Sequence, residues 1–176
     1  MARKISLRRP VVLIDQLIVW TTGIVVVLLM ATMVVSVVLG VFYRYVLSDS
    51  LSWPEEFARF AMIWVTMLGA GLVLRYGGHI AVTFLVDAVP GRVQSVVVWV
   101  GRLLVAVFLL LLTVKGNEFL GIATRQTAPA TGVSMIVPYL ALPVGGLLML
   151  YHLMVSCFAP QHLPPPLPVA SREDWS

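Results

Sequence analysis

Three ionisable residues stand close together where an apolar segment begins: Glu55, Glu56 and Arg59. On a helix, an acid four residues before a base forms a favourable ion pair, so one interpretation is a capped, self-neutralised helix end. The other interpretation is docking to a partner subunit. The run between Arg59 and Arg75 is too short to cross a bilayer alone. Arg59 is therefore expected at the hydrocarbon edge, where an ionisable group needs a partner.

A second unusual cation is Arg102, which interrupts an apolar run between Arg92 and Lys115. Burying such a charge at mid-bilayer costs about 2.5–3.5 kcal/mol on insertion scales. Either its long side chain reaches back to the cytoplasmic interface, or it pairs with an acid or a carbonyl group. No acid of this chain is expected at that depth, so the counter-group would lie on another protein.

The histidines do not suggest a metal or haem site. His79 follows Arg75 in a predicted loop, while His152 and His162 fall in a predicted helix and tail. This spacing offers neither a metal-binding His pair nor opposed haem ligands. There is also no nucleophile elbow, phosphate-binding loop or dinucleotide turn. We expect no enzyme activity and no cofactor.

Composition indicates an integral membrane protein. Hydrophobic residues make up 60% of the 176-residue chain and charged residues 11%, with a mean hydropathy of +0.97. Soluble domains carry roughly 25% charged residues. The net charge of +4 is too dispersed for nucleic-acid binding, because the one dense basic group, at residues 3–9, runs directly into apolar sequence. That apolar run extends without a charge from Gln16 to Tyr43, too long for the core of a signal peptide.

Hydropathy, together with residues typical of helix starts and ends, predicts an all-α membrane protein with four transmembrane helices. The expected spans are 14–43, 53–74, 96–122 and 133–158. Ser52, Pro54 and Glu55 fit the start of the second helix, as cap, first-turn proline and capping-box acid. In the fourth, Pro138 is expected in the first turn and Pro143 at a kink.

The charge distribution predicts that both termini are cytoplasmic. An N-in arrangement places on the inside the basic residues Arg3, Lys4, Arg8, Arg9, Arg75, Arg92 and Arg172, and only Arg44, Lys115 and Arg125 outside. The chain is thus divided into a basic cytoplasmic N-terminus (1–10), a four-helix membrane domain (11–159) and a Pro-rich cytoplasmic tail (160–176).

Several motifs, in order, resemble the small DctQ-type subunit of tripartite ATP-independent periplasmic (TRAP) transporters. They are SWPEEFAR at 52–59, RYGGHI at 75–80, QTAPA at 126–130 and PYLALPVG at 138–145. The resemblance covers roughly Val11 to Phe158. One departure is Thr83, where many relatives carry an acid.

The resemblance implies a bacterial inner-membrane subunit that scaffolds a large multi-span transport subunit. That large subunit would carry the substrate and sodium sites, and a periplasmic binding protein would deliver an organic acid such as a dicarboxylate. The residues expected to contact the large subunit are Glu55, Glu56, Arg59 and Arg102, with Arg75 and His79 at the cytoplasmic edge.

Two other functions stay open at this point. An autonomous four-helix transporter would normally show a membrane-embedded acid for ion coupling, and none is evident in the sequence. A membrane anchor of a redox complex would want two histidines at matching depths on facing helices, which the spacing disfavours.

Overall fold

A computed structural model of the chain describes residues 8–77 and 91–158. Five helices follow one another: α1 (Arg8–Val46), α2 (Trp53–Gly77), α3 (Gly91–Ala123), the short α4 (Ile136–Tyr139) and α5 (Ala141–Phe158). Within these residues there is no β-strand, and an isolated bridge between Thr127 and Ser134 closes the loop before α4.

Among the described residues, four stretches are long and apolar enough to cross a membrane: Leu13–Val46, Trp53–Tyr76, Val96–Ala123 and Ile136–Cys157. The predicted all-helical fold with four spans is therefore confirmed. Helix α1 extends beyond its predicted span at both ends; its 39 residues would measure about 58 Å, well over the ~30 Å hydrocarbon thickness. Such a helix must tilt or project from the bilayer.

The helices form a row rather than a closed bundle. Helix α1 packs along α2, α2 packs along α5, and α5 packs along α3. As a result, 44% of the most apolar window of the fourth span is buried within the chain, but only 6% of the corresponding windows of the first and third spans. The two outer helices leave most of their apolar surface uncovered.

Close approach of backbones holds α5 between its neighbours. A Cβ added at Gly145 would lie 2.7 Å from the Cβ of Met67 on α2, and one added at Gly146 would collide with the Thr113 hydroxyl on α3. A second close approach between α3 and α5 is at Gly116, where an added Cβ would lie 2.9 Å from the Cβ of Leu142. Small residues at these positions allow the tight helix contacts on which membrane packing depends.

Helices α1 and α2 run antiparallel in one register. At one end Asp15 meets Arg75, and at the other the Ser36 hydroxyl donates to the carbonyl of Pro54 at 3.3 Å. Pro54 lies in the first turn of α2, as predicted, and is fully buried against α1.

The fourth span is interrupted, as the prolines suggested. Pro138 lies in the first turn of α4, and the helix is broken at Leu140 before it resumes as α5. Pro143 has no N–H to donate to the carbonyl of Tyr139 four residues back, which accounts for the break.

Candidate functional site

A buried ion pair joins α1, near its start, to the last turn of α2. The guanidinium of Arg75 donates a hydrogen bond to a carboxylate oxygen of Asp15, and the side chains are only 5% and 7% exposed. Arg75 was expected to contact the large subunit, but its guanidinium is paired with a carboxylate of the same chain. Asp15 was overlooked, and the expectation that the chain has no membrane-embedded acid is wrong for this residue, which is buried in the first span.

A buried histidine lies beside this pair. His152 on α5 is completely buried, and neither ring nitrogen has a hydrogen-bond partner among the described residues. It packs edge-on against Tyr151, with 5.4 Å between ring centroids, and lies within electrostatic range of both Asp15 and Arg75. The polar cluster of Asp15, Arg75 and His152 therefore draws on three helices that the sequence places far apart.

At the opposite end of α2, Glu56 organises the loop that precedes α4. It is buried, and one carboxylate oxygen accepts hydrogen bonds from both the backbone N–H and the hydroxyl of Thr131, each at 2.7 Å. Next to Thr131, Gly132 adopts φ +70°, a left-handed conformation that favours glycine. Glu56 thus stabilises a loop of its own chain, an arrangement that the sequence did not reveal.

Glu55 and Arg59 are exposed, unlike Glu56. The ion pair expected from their spacing does not form, and within residues 8–77 and 91–158 neither residue takes part in a salt bridge. Glu55 instead lines a pocket between α1 and α2, together with Arg44. The Glu55 carboxylate and the Arg59 guanidinium are both exposed to groups outside the chain.

Arg102 is half-buried on α3. Its guanidinium carbon lies 5.9 Å from the ring centroid of Trp99, one turn earlier, at the distance of a cation–π contact. Its Nε is buried and has no hydrogen-bond partner within residues 8–77 and 91–158. The aromatic ring is a partner from the same helix that the sequence reasoning did not consider.

The predicted contact residues therefore do not form one cluster. Arg75 and Glu56 lie at opposite ends of α2 with intrachain partners, Glu55 and Arg59 are exposed near Glu56, and Arg102 is on α3. His79 lies outside the described residues. An antiparallel pairing of the first two spans would have placed Asp15 level with Arg75, and this signal was available in the sequence.

The described part of the chain has no group of three His, Cys, Asp or Glu side chains arranged to hold a metal ion. Among the described residues, the polar side-chain contacts between residues far apart in sequence join helix to helix or helix to loop. For example, the Trp64 indole on α2 donates to the carbonyl of Val137 in α4 at 3.0 Å. Such an arrangement positions helices.

Comparison with known proteins agrees with this architecture. The chain is 32% identical to the ectoine TRAP transporter small permease protein TeaB of Halomonas elongata, over 69% of this chain and 63% of that protein. It is 26% identical to the sialic acid TRAP transporter small permease protein SiaQ of Vibrio cholerae, over 77% of this chain and 78% of SiaQ.

A third relative is much longer. The isethionate TRAP transporter permease protein DctMQ of Oleidesulfovibrio alaskensis is 31% identical over 58% of this chain, which corresponds to only 16% of that protein. Residues 33–160, most of the chain, match the family described as tripartite ATP-independent periplasmic transporters, DctQ component. The chain belongs to this family, as a multi-pass inner-membrane small permease subunit of a TRAP transporter and not an enzyme.

Proposed function

We propose that this chain scaffolds a large multi-span permease subunit, which carries out sodium-coupled uptake of an organic acid delivered by a periplasmic binding protein. The observation that supports this most directly is the row of helices. Its outer members, α1 and α3, are apolar but almost unburied within the chain. A large membrane partner would cover such faces by the close packing that drives helix association in lipid.

The long relative supports the same partnership. DctMQ carries a region similar to this chain as a small part of one much longer permease protein. Fusion of two regions in one polypeptide, as in DctMQ, keeps two parts that work together in fixed proportion. We infer that a corresponding permease packs against the same helices here.

The charges within the described spans favour a scaffold over a solute path. Asp15 is the membrane-embedded acid that an autonomous transporter would use, but Arg75 neutralises it in a buried pair. An acid that couples to ions must be able to exchange its partner for the coupled ion. A buried and paired carboxylate suits a structural role.

The proposed contacts follow from exposure. Glu55 and Arg59 are exposed and Arg102 is half-buried, so we propose these three for contact with the permease or with lipid around it. Glu56 and Arg75 would contribute through the loop and helix that they position. His79 remains a proposed contact at the cytoplasmic edge, with both termini on the cytoplasmic side.

The substrate is proposed only as a class, an organic acid such as a dicarboxylate. The relatives are named for ectoine, sialic acid and isethionate, which are chemically different solutes. This variety is expected if the substrate pocket lies in the partner chains.

The decisive experiment is reconstitution in vesicles with an imposed sodium gradient. The chain alone should give no uptake, whereas the chain with its permease and binding protein should accumulate the solute. Sodium-driven uptake by the chain alone would overturn the proposal.

Affinity purification tests the contacts themselves. Arg59→Ala should reduce retention of the permease by removing a contact, and Glu56→Ala should reduce it by releasing the loop that Glu56 holds. Unchanged retention and unchanged transport in both variants would assign these residues to the stability of this chain alone.

A further inference from the structure

A pocket of about 260 Å³ lies between the last turns of α1 and the first turns of α2. Its inner wall is apolar and includes Val37, Val41 and Ala58, while Arg44 and Glu55 contribute opposite charges. A pocket with an apolar wall and two charged groups can hold a molecule that is itself amphipathic.

The two charges do not neutralise each other. Arg44 and Glu55 line one pocket and both are exposed, yet no salt bridge between described residues involves either of them. By contrast, Lys115 and Glu118 on α3, equally exposed, meet at 2.8 Å. The space between Arg44 and Glu55 is therefore available to a ligand that carries both a negative and a positive group.

The position of the pocket indicates the source of that ligand. It lies where the apolar stretch Leu13–Val46 ends and Trp53–Tyr76 begins. The aromatic Tyr45 lines the pocket, and Phe42, Tyr43 and Trp53 are near its lining residues in the sequence. Aromatic rings gather where lipid headgroups meet hydrocarbon.

We propose that this pocket binds the headgroup of a zwitterionic phospholipid with a primary ammonium group. The phosphate would accept hydrogen bonds from the Arg44 guanidinium, and the ammonium would donate to the Glu55 carboxylate. A choline headgroup has no N–H to donate, and a glycerol headgroup leaves the Glu55 charge without a counter-charge. This inference does not rest on the proposed scaffold role, and it places Glu55 at a lipid instead of directly at the permease.

Native mass spectrometry of the full chain in detergent tests the proposal, with phosphatidylethanolamine, phosphatidylcholine and phosphatidylglycerol added in turn at equal concentration. The wild-type chain should retain phosphatidylethanolamine about tenfold better than phosphatidylcholine, as expected for one charge-assisted hydrogen bond. Equal retention of these two lipids, or a preference for phosphatidylglycerol, would overturn the proposal.

Two variants separate the roles of the charges. Glu55→Gln should abolish the preference for phosphatidylethanolamine over phosphatidylcholine. Arg44→Gln should weaken the binding of each of these two lipids by about tenfold, because each carries the phosphate that Arg44 would bind. Arg125→Gln is the matched control, since Arg125 is also exposed and lies in the loop that Glu56 ties to the same end of α2. If all three variants behaved alike, the pocket would not be the site.

Repeating the measurement on the complex with the permease tests whether the permease, and not the lipid, occupies the pocket. The lipid should stay bound with the same preference. If the permease instead displaced it, the pocket would be a subunit contact and the lipid assignment would be wrong.

Discussion

The guanidinium of Arg75 binds the carboxylate of Asp15 across 60 residues of sequence, and this contact joins α1 to the rest of the helix row. In lipid, apolar faces gain little by meeting each other in place of acyl chains. A buried polar contact therefore has a large influence on how two such helices align. Its only hydrogen-bonded counterpart between the described parts of α1 and α2 is the 3.3 Å contact from Ser36 to Pro54.

Breaking the Asp15–Arg75 pair should destabilise the chain strongly. Arg75→Met or Asp15→Asn leaves one buried group without its partner, at a cost of about 3–5 kcal/mol, whereas the double variant Asp15→Leu with Arg75→Met should recover most of this loss. Thermal unfolding of the purified chain measures both effects. The control is Lys115→Met, which breaks a pair that is 63% and 60% exposed and should cost less than about 1 kcal/mol. Similar losses for both pairs would contradict the structural role of Asp15–Arg75.

The same pair should also set the register between α1 and α2. A Cβ at Gly40 would lie 3.4 Å from the Cβ of Pro54, close to the roughly 3.5–4.5 Å of a disulfide. In a Cys157→Ser background, Gly40→Cys with Pro54→Cys should crosslink on oxidation. Adding Arg75→Met should reduce the yield severalfold, although Arg75 lies at the far end of α2. An unchanged yield would show that apolar packing alone aligns these helices.

Neutralising Glu56 should loosen the loop before α4. Glu56→Gln keeps the shape but loses the charge that strengthens two hydrogen bonds to Thr131, so we expect a loss of about 1–2 kcal/mol. Hydrogen exchange at the Thr131 amide should accelerate about tenfold. Glu55→Gln is the matched control, because Glu55 is exposed and the hydrogen bonds from Thr131 go to Glu56. Equal acceleration in the two variants would exclude a specific role for Glu56.

A methyl group at Gly145 should disturb the packing of α5 on α2. Gly145→Ala would place its Cβ 2.7 Å from the Cβ of Met67, and overpacking of this kind costs about 1–3 kcal/mol. Gly69→Ala, also within a helix, has nothing within 4 Å and should be neutral or stabilising. Thermal unfolding distinguishes the two. A loss confined to Gly69→Ala would be inconsistent with this packing.

Removing the imidazole of His152 should not harm the isolated chain. Both ring nitrogens are buried without a partner in the part of the chain that the structure describes, and an unpaired polar group can be replaced by an apolar one of similar size at little cost. His152→Leu should therefore unfold at the same temperature as the wild type or higher. Destabilisation by more than about 1 kcal/mol would indicate that the ring makes a polar contact, for instance with a buried water.

The sequence by itself determined the number and type of the elements. Apolar runs predicted four membrane-spanning helices. The prolines predicted the start of α2 near Trp53 and a kink at Pro143, and the structure has the interruption at Leu140. These features depend on length and on local backbone chemistry, which are visible residue by residue. The motifs at 52–59, 75–80, 126–130 and 138–145 were enough to indicate the family.

Only the tertiary structure decided which faces meet. The spans are apolar around most of their circumference, so no contrast between a polar and an apolar stripe distinguishes the side that packs within protein from the side that faces lipid. Asp15, the partner of Arg75, is 60 residues away from it in the sequence, and Thr131, the partner of Glu56, is 75 residues away. Such contacts depend on the order of the helices in the row and on close approach at glycines such as Gly145, which a one-dimensional pattern does not specify.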